Sequence, residues 1–411
     1  MAANHNRIKV LHLITLSVFG GAQDNTFSTV ELHDRSRFDV HLACNPDGAW
    51  IERARESADW FHPIPTLATP INPLKDLRAF LDLVRLLRRE QFDLVHTHTA
   101  KAGFLGRLAA AACRVPAVHT YHAFPFHDFM RAWKRALFIQ LEKCVRPCTD
   151  FFITLSENDR KEAARLGILD FARSAAVYTG IDFTKLDAPA KPTVSREKLK
   201  IPEAWQIVFM AGRLEPQKAP ELLLDAFSQV VRVCPQTALV IAGDGPLRFS
   251  LERKIAALGL EAHVRLLGYR DDVPALIRLA DVFAFSSRWE AMGRAMVEAM
   301  LLSKPVVAPA IYGIPEIVHH RETGLLYEVG RVEALAAGIT QLLQNPDEAR
   351  RMGYNARQLT RNLFDINVMV ARIEKIYQML LNTQPAVDHD RTLRGLEPIE
   401  PAPLLRAMTH D

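Results

Sequence analysis

Glu290 and Glu298 stand eight residues apart, and an earlier segment holds a pair of cations, Arg213 and Lys218. Each pair sits where a short apolar run gives way to a helix-forming one. Val282 to Phe285 reads as a buried parallel strand and Ala295 to Leu302 as a helix. Ile207 to Gly212 reads as another such strand, and Pro220 opens the next helix in the first-turn position that suits proline. Open α/β sheets bind ligands at the carboxyl ends of their strands, so the spacing predicts that these four side chains converge on one site. A diphosphate carrying a hydroxyl-rich sugar suits that set. Arg and Lys oppose phosphate oxygens, each contact amounting to roughly 4 kcal/mol at about 4 Å and an effective dielectric near 20, before desolvation. An ionised carboxylate accepts from ribose or sugar hydroxyls. Backbone amides from Gly293 to Ala295, at a helix N-terminus, add donors for phosphate, with Arg294 as a further cation. Taken singly, the two glutamates read equally well as a first-turn helix acid and a solvated loop residue.

The elements that must hold these groups form an alternating series. Strand-like runs at Phe38 to Ala43, Phe92 to Thr97, Ala117 to Tyr121 and Phe151 to Leu155 alternate with helical ones at Asp76 to Arg89, Ala102 to Cys113 and Met130 to Cys144. That rhythm belongs to a parallel sheet. It pauses in a Pro- and Lys-rich stretch and restarts at Ile207. A chain of 411 residues with 49% apolar content can build two full cores, so two α/β domains are expected. The boundaries read as a first domain over 1–182, a linker over 183–205, a second domain over 206–363, a last amphipathic helix over 364–382 and a disordered tail over 383–411.

Net charge of +4 over this length gives no nucleic-acid footprint. The five cysteines are scattered, odd in number and form no Cys-x-x-Cys, which argues against a disulfide framework or a zinc site and for a reducing cytosol. Ile8 to Leu16 is apolar, but Lys9 and His12 interrupt it and no convincing cleavage pattern follows, so it reads as a first strand rather than a signal peptide. No run is long and apolar enough to span a bilayer. Neither Gly20-Gly21 nor Gly243-Asp-Gly245 completes a Gly-x-Gly-x-x-Gly, which disfavours nicotinamide chemistry.

Four segments in order carry a family resemblance: Ala211-Gly-Arg-Leu-Glu-Pro-Gln-Lys218, Val240 to Pro246, the Glu290 to Glu298 stretch, and Val306 to Val318 with Tyr312-Gly-Ile-Pro-Glu316. Together they resemble the retaining GT-B glycosyltransferases called group 1 or family 4, over most of residues 8 to 382. The resemblance implies a GT-B α/β fold, with two Rossmann-like doubly wound parallel-sheet domains facing a central cleft and the last helix crossing back to the first domain. It implies sugar transfer from a nucleoside-diphosphate sugar, a UDP-sugar favoured, to an acceptor hydroxyl with retention, in surface polysaccharide or glycolipid synthesis. No obligatory cofactor or metal follows from it.

By the same resemblance Glu290 positions the donor sugar, Glu298 grips the ribose, and Arg213, Lys218 and the amides near Gly293 oppose the diphosphate charge. Tyr269 is assigned to the nucleobase side. Tyr121-His-Ala123 resembles the family's Thr-His-Gly triplet, which assigns His122 to the donor sugar. Ala123, Ala219, Ala291, Arg294 and Ala295 depart from the family pattern without deleting a charged group.

In the first domain, Gly20 and Gly21 follow the first strand, where a residue without Cβ admits a ligand close to the backbone, and the family resemblance implies that this loop lies near the sugar and acceptor, with Gly21 on the donor side and Gly20 on the acceptor side. A plain tight turn explains them equally well. Lys101 precedes a helix and is a candidate for an acidic acceptor or a solvated lysine. His96, His98, His119, His122 and His127 cluster in sequence without zinc-type spacing, and core or surface roles are expected for all but His122. The basic, Trp133-bearing segment 130–146 predicts a face resting on anionic lipid, against the plainer reading of core plus solvated charges. The expected partners are thus a nucleotide sugar, a saccharide or lipid-linked saccharide acceptor and the inner face of the cytoplasmic membrane. Three rivals stand beside this reading: a nucleotide-sugar epimerase on the same fold, a catalytically silent nucleotide-sugar-binding subunit, and a retaining phosphorylase, whose sugar phosphate or pyridoxal cofactor nothing in the sequence suggests.

Overall fold

A computed structural model describes residues 7–187 and 194–381. The described residues fall into two compact units, 7–180 with 364–381, and 181–187 with 194–363. Each is a single parallel sheet flanked by helices.

The first sheet comprises β1 (Ile8–Leu16), β2 (Phe38–Asn45), β3 (Trp60–Pro63), β4 (Leu94–His98), β5 (Ala117–Tyr121), β6 (Phe151–Thr154) and β7 (Ser174–Ala176), in the order β3-β2-β1-β4-β5-β6-β7. All its pairings are parallel, β1 lying beside both β2 and β4. The near-continuous Val, Ile and Leu of β1 is what a strand covered on both faces requires, and β4 is buried throughout despite its two histidines. One core cluster joins Val10, Ile14, Phe38 and Val40 to Ile366, Met369, Val370, Ile373 and Tyr377 of the helix Ile366–Leu381, which therefore belongs to this unit.

The second sheet comprises β8 (Gln206–Ala211), β9 (Thr237–Ala242), β10 (Val264–Leu266), β11 (Val282–Ala284), β12 (Val306–Pro309) and β13 (Leu325–Tyr327), in the order β10-β9-β8-β11-β12-β13. In both sheets the order reverses at the first strand, so the chain leaves β1 and β4, or β8 and β11, toward opposite faces. The crevice this opens at the strands' carboxyl ends is the ligand position of doubly wound sheets.

Three segments differ from the sequence expectation. The 183–205 stretch is not a free linker where it is described: Phe183–Asp187 is a short helix, Ile201 is buried, and the Leu199 and Lys200 carbonyls accept hydrogen bonds from Arg265. Its apolar anchors are too few to show against the surrounding Pro and Lys. The short strands β3 and β13 also escaped sequence reading, because three or four residues carry no usable periodicity. The 383–411 tail lies outside the described residues.

Candidate functional site

β8 and β11 deliver the second unit's charged groups to its sheet's reversal point. The loop after β8 is fastened to the loop after β11 by several hydrogen bonds. The Ser286 hydroxyl donates to the Lys218 carbonyl (2.8 Å), the Arg288 amide to the Gln217 carbonyl (2.8 Å), and the Gln217 side-chain amide to the Trp289 carbonyl (3.0 Å). This fastening brings Lys218 and Glu290, distant in sequence, into a half-buried ion pair. The Lys218 ammonium also lies 5.3 Å from the centroid of the Phe285 ring, a cation–π contact. Gly293 stands against the same ring with φ of +75°, and a Cβ there would come within 2.7 Å of it. Close approach likewise fixes Gly243, after β9, whose Cβ would lie 1.9 Å from the Gly212 carbonyl oxygen.

Glu298 falls in the second turn of the helix Arg294–Leu301, where Arg294 Nε donates to its Oε1 at 3.0 Å. The first-turn-acid explanation of Glu298 is thereby removed. Arg213 is the most open of the four groups, 59% exposed at the side chain and 3.0 Å from Glu215. Tyr269, also exposed, follows β10 two strands from β8. Arg213, Lys218, Glu290, Gly293, Arg294 and Glu298 thus share one end of one sheet, with each cation near a carboxylate. Such a set can exchange an internal carboxylate for a ligand's phosphate at little desolvation cost, since the cation is charged and partnered in both arrangements.

The first unit's candidates separate into three. Gly20 and Gly21 begin the helix Gly21–Leu32 after β1, and a Cβ on Gly21 would meet nothing within 4 Å. The Lys101 ammonium bonds Asp76 at 2.7 Å and the Pro70 carbonyl, so its charge is compensated within the unit. The residue before its helix is unusual. Thr99 adopts φ +61° and ψ 162°, a region costly for a β-branched residue, where its hydroxyl meets the Thr15 hydroxyl at 2.8 Å.

His122, after β5, is the third, and here the sequence reading missed the principal feature. His122 Nε2 lies 3.0 Å from His98 Nδ1, His98 Nε2 lies 3.1 Å from His12 Nδ1, and His12 Nε2 lies 3.0 Å from His33 Nε2. His96 joins the cluster through Tyr377 and Thr120. Burial lowers the pKa of each, His122 to about 4, so all are neutral near pH 7. His12, His96 and His98 place one nitrogen each within 4.8 Å of one another, yet every ring nitrogen of the three is hydrogen-bonded to a protein group. A cation there would have to displace that network. The signal was present in the sequence: His12, His96 and His98 occupy buried positions in otherwise apolar strands, where polar groups must find partners. The β1–β4 register sets His12 directly opposite His96.

Comparison with known proteins now decides the family. The model described as "Glycosyl transferases group 1" matches residues 193–359, and "Glycosyltransferase Family 4" matches residues 19–185. A relative from Escherichia coli, UDP-Gal:alpha-D-GlcNAc-diphosphoundecaprenol alpha-1,3-galactosyltransferase, is 30% identical over 93% of this chain and 100% of its own length. The chain belongs to the group 1 glycosyltransferases. Its fold is GT-B, as in the crystal structure of Anabaena HepE in complex with UDP-glucose, which has 25% identity, a TM-score of 0.77, and coverage of 92% of this chain and 100% of that one. A Listeria monocytogenes protein described as a putative UDP-N-acetylglucosamine 2-epimerase shares the fold at 17% identity and TM-score 0.65, covering 93% of this chain and 99% of that one, and shows the fold alone.

Proposed function

We propose that this glycosyltransferase moves a hexosyl unit from a UDP-sugar to a hydroxyl of a polyprenyl-diphosphate-linked saccharide, with retention at the anomeric carbon. The observation that carries the reading is the Lys218–Glu290 pair at the reversal point of the second sheet, with Arg213 and Arg294–Glu298 at the same sheet end. The full-length likeness to an enzyme named for a UDP-sugar donor and a diphosphoundecaprenol-linked acceptor supports the substrate classes.

In the reaction the bond from the sugar's anomeric carbon to the diphosphate breaks and a bond to the acceptor oxygen forms. The acceptor's proton leaves with the diphosphate. Negative charge grows on the leaving group, and Lys218 and Arg213 oppose it, which lowers the barrier without a metal ion. Lys218 turns from Glu290 to the diphosphate, and the released Glu290 carboxylate accepts from sugar hydroxyls. Glu298 takes the ribose hydroxyls, Tyr269 the base, and His122 a hydroxyl of the sugar.

The reading includes peripheral contact with anionic membrane. The helix Ala132–Val145 buries Ile139, Glu142 and Val145 but exposes Trp133 (64%) and Leu137, beside Lys134 and Arg135. A second such face runs along Pro73–Glu90, where Leu74 (74% exposed), Leu77 and Leu81 stand among Lys75, Arg78 and Arg85. Among the described residues no helix is long and apolar enough to cross a membrane.

The test is thermal stabilisation by UDP, UDP-galactose, UDP-glucose and GDP beside an Arg213→Ala, Lys218→Ala double variant. Transfer to a synthetic polyprenyl-diphosphate saccharide follows, with the product's anomeric configuration read by NMR. Saturation at about 100 times the dissociation constant adds roughly 2.7 kcal/mol to the folded state. No shift with any uridine nucleotide in folded protein, or donor conversion without acceptor, would overturn the reading. Flotation with vesicles containing phosphatidylglycerol, against Trp133→Ser and Leu74→Ser, tests the lipid contact.

A further inference from the structure

The histidine series does not end at His33. His33 Nδ1 lies 3.0 Å from Glu374 Oε1, on the helix Ile366–Leu381, and the same oxygen accepts from the Asp34 amide at 2.9 Å. The other carboxylate oxygen faces Arg37 at 3.8 Å. One continuous line of hydrogen bonds therefore runs from Glu374 through His33, His12 and His98 to His122, inside the first unit.

A neutral imidazole has one N–H and one lone pair, so each ring in such a line dictates the tautomer of the next. Glu374 sets the direction. Burial raises its pKa, but hydrogen bonds from His33 and the Asp34 amide outweigh that and hold it below the ordinary value, so it is an ionised, acceptor-only group. His33 must then carry its proton on Nδ1 and present a lone pair at Nε2. His12 donates to it from Nε2 and accepts at Nδ1. His98 donates from Nε2 and accepts at Nδ1. His122 donates from Nε2, and its Nδ1 is left as a bare lone pair.

The side branch agrees with this polarity. The Tyr377 oxygen lies 3.4 Å from His12 Nε2, at the edge of an acceptor's reach, and leaves its own O–H to donate to His96 Nδ1. His96 then donates from Nε2 to the Thr120 hydroxyl at 2.7 Å. No ring in the cluster is asked to donate twice. The terminal atom is the independent observation: His122 Nδ1 is shielded from water and has no hydrogen-bond partner among the described residues. An unmet acceptor at the end of an otherwise satisfied chain marks a place for a donor.

We propose that Glu374 is a positioning residue that fixes the tautomer of His122 through His33, His12 and His98, so that His122 Nδ1 can only accept a hydrogen bond from a ligand hydroxyl. The ligand class follows from the lone pair: a neutral hydroxyl-bearing sugar carbon suits it, and a carboxylate at that position repels it. The hydroxyl's belonging to the donor sugar rests on the function proposed above; the tautomer assignment does not.

The full chain labelled with 15N-histidine, with His122 assigned by comparison with His122→Gln, tests this by NMR. In the wild type His33 should carry Nδ1–H, and His12, His98 and His122 should each carry Nε2–H. Glu374→Met should turn His122 into a mixture of tautomers and lower kcat for transfer about tenfold while leaving UDP affinity unchanged. Glu374→Gln, whose amide oxygen can still accept from both Asp34 and His33, should restore both. A wild-type His122 protonated on Nδ1 overturns the inference, and so does a His122 unchanged in Glu374→Met. The four wild-type assignments stand as the test even if Glu374→Met does not fold. Expected tautomers with no His122 response to UDP-galactose or UDP-glucose, in protein that binds UDP, would support the relay and count against the donor-sugar contact.

Discussion

The two units share a sheet plan and differ in how they handle polarity at its reversal point. After β8 and β11 the candidate groups are charged, partly exposed and paired within reach of solvent: Lys218 with Glu290, Arg294 with Glu298, Arg213 with Glu215. Along β1 and β4 and just after β5 they are neutral histidines in a dry hydrogen-bonded line, and the fully buried Arg107 is neutralised by Glu142. Fold does not set chemistry. Mobile countercharge suits a ligand whose own charge grows during reaction. Fixed neutral donors and acceptors suit one that must be oriented.

The sharpest break between the two should come from removing a buried partner in the first unit. Arg107 Nη2 donates to Glu142 Oε2 at 2.8 Å, and Tyr121 donates to the same oxygen at 2.7 Å. Arg107→Met leaves Glu142 buried and unpaired, so urea denaturation should show a loss of about 3–5 kcal/mol, most of it recovered by adding Glu142→Leu. The matching change in the second unit should spare stability and cost function. Lys218→Met should cut kcat/KM roughly a hundred- to a thousand-fold, while adding Glu290→Gln separates the lost cation from the stranded carboxylate. A Lys218 variant that unfolds as badly as the Arg107 variant would erase the contrast.

That contrast was only half visible in the sequence. Lys218, Glu290, Gly293 and Glu298 could be singled out because they flank apolar strand runs within segments that resemble the family's motifs in order, and β8, β11 and their helices fall within a residue or two of the expected limits. The first unit's line stayed hidden because His12, His33, His98 and Glu374 are brought together only by sheet register and by the return of the last helix, neither of which local pattern reports. The pairing of Lys101 with Asp76 stayed hidden for the same reason, the two lying on different helices.

Acid should separate the units next. The buried His12, His33, His96, His98 and His119 and the half-buried His122 all have pKa values lowered by desolvation, and in the unfolded chain each returns to about 6.5. The unfolded chain therefore binds more protons below that value. Their contribution to stability is full above about pH 6.5 and is lost as pH falls toward the folded values. For His122, at about 4, the loss is roughly 3 kcal/mol. Among the described residues of the second unit no histidine is fully buried. Urea titrations at pH 7.5, 6 and 5 should show the first unit's transition moving to lower denaturant while the second's stays. Parallel movement would mean that the histidine line is not what acid attacks.

The smallest effect should come from Ala219, which follows Lys218 in a left-handed conformation with φ +44° and ψ 51° and is fully buried. Ala219→Gly removes about 1–2 kcal/mol of backbone strain. Against that stand about 0.4–1 kcal/mol for the freer unfolded chain and roughly 0.8 kcal/mol for the lost buried methyl. The terms nearly cancel, so the second unit's melting temperature should move by no more than about 2 °C. Donor binding is the more sensitive readout, because the same backbone sets the aim of Lys218. A variant of unchanged stability but weaker UDP affinity would show that the strained residue serves the ion pair. Unchanged affinity would show that the loop-to-loop hydrogen bonds hold Lys218 without it.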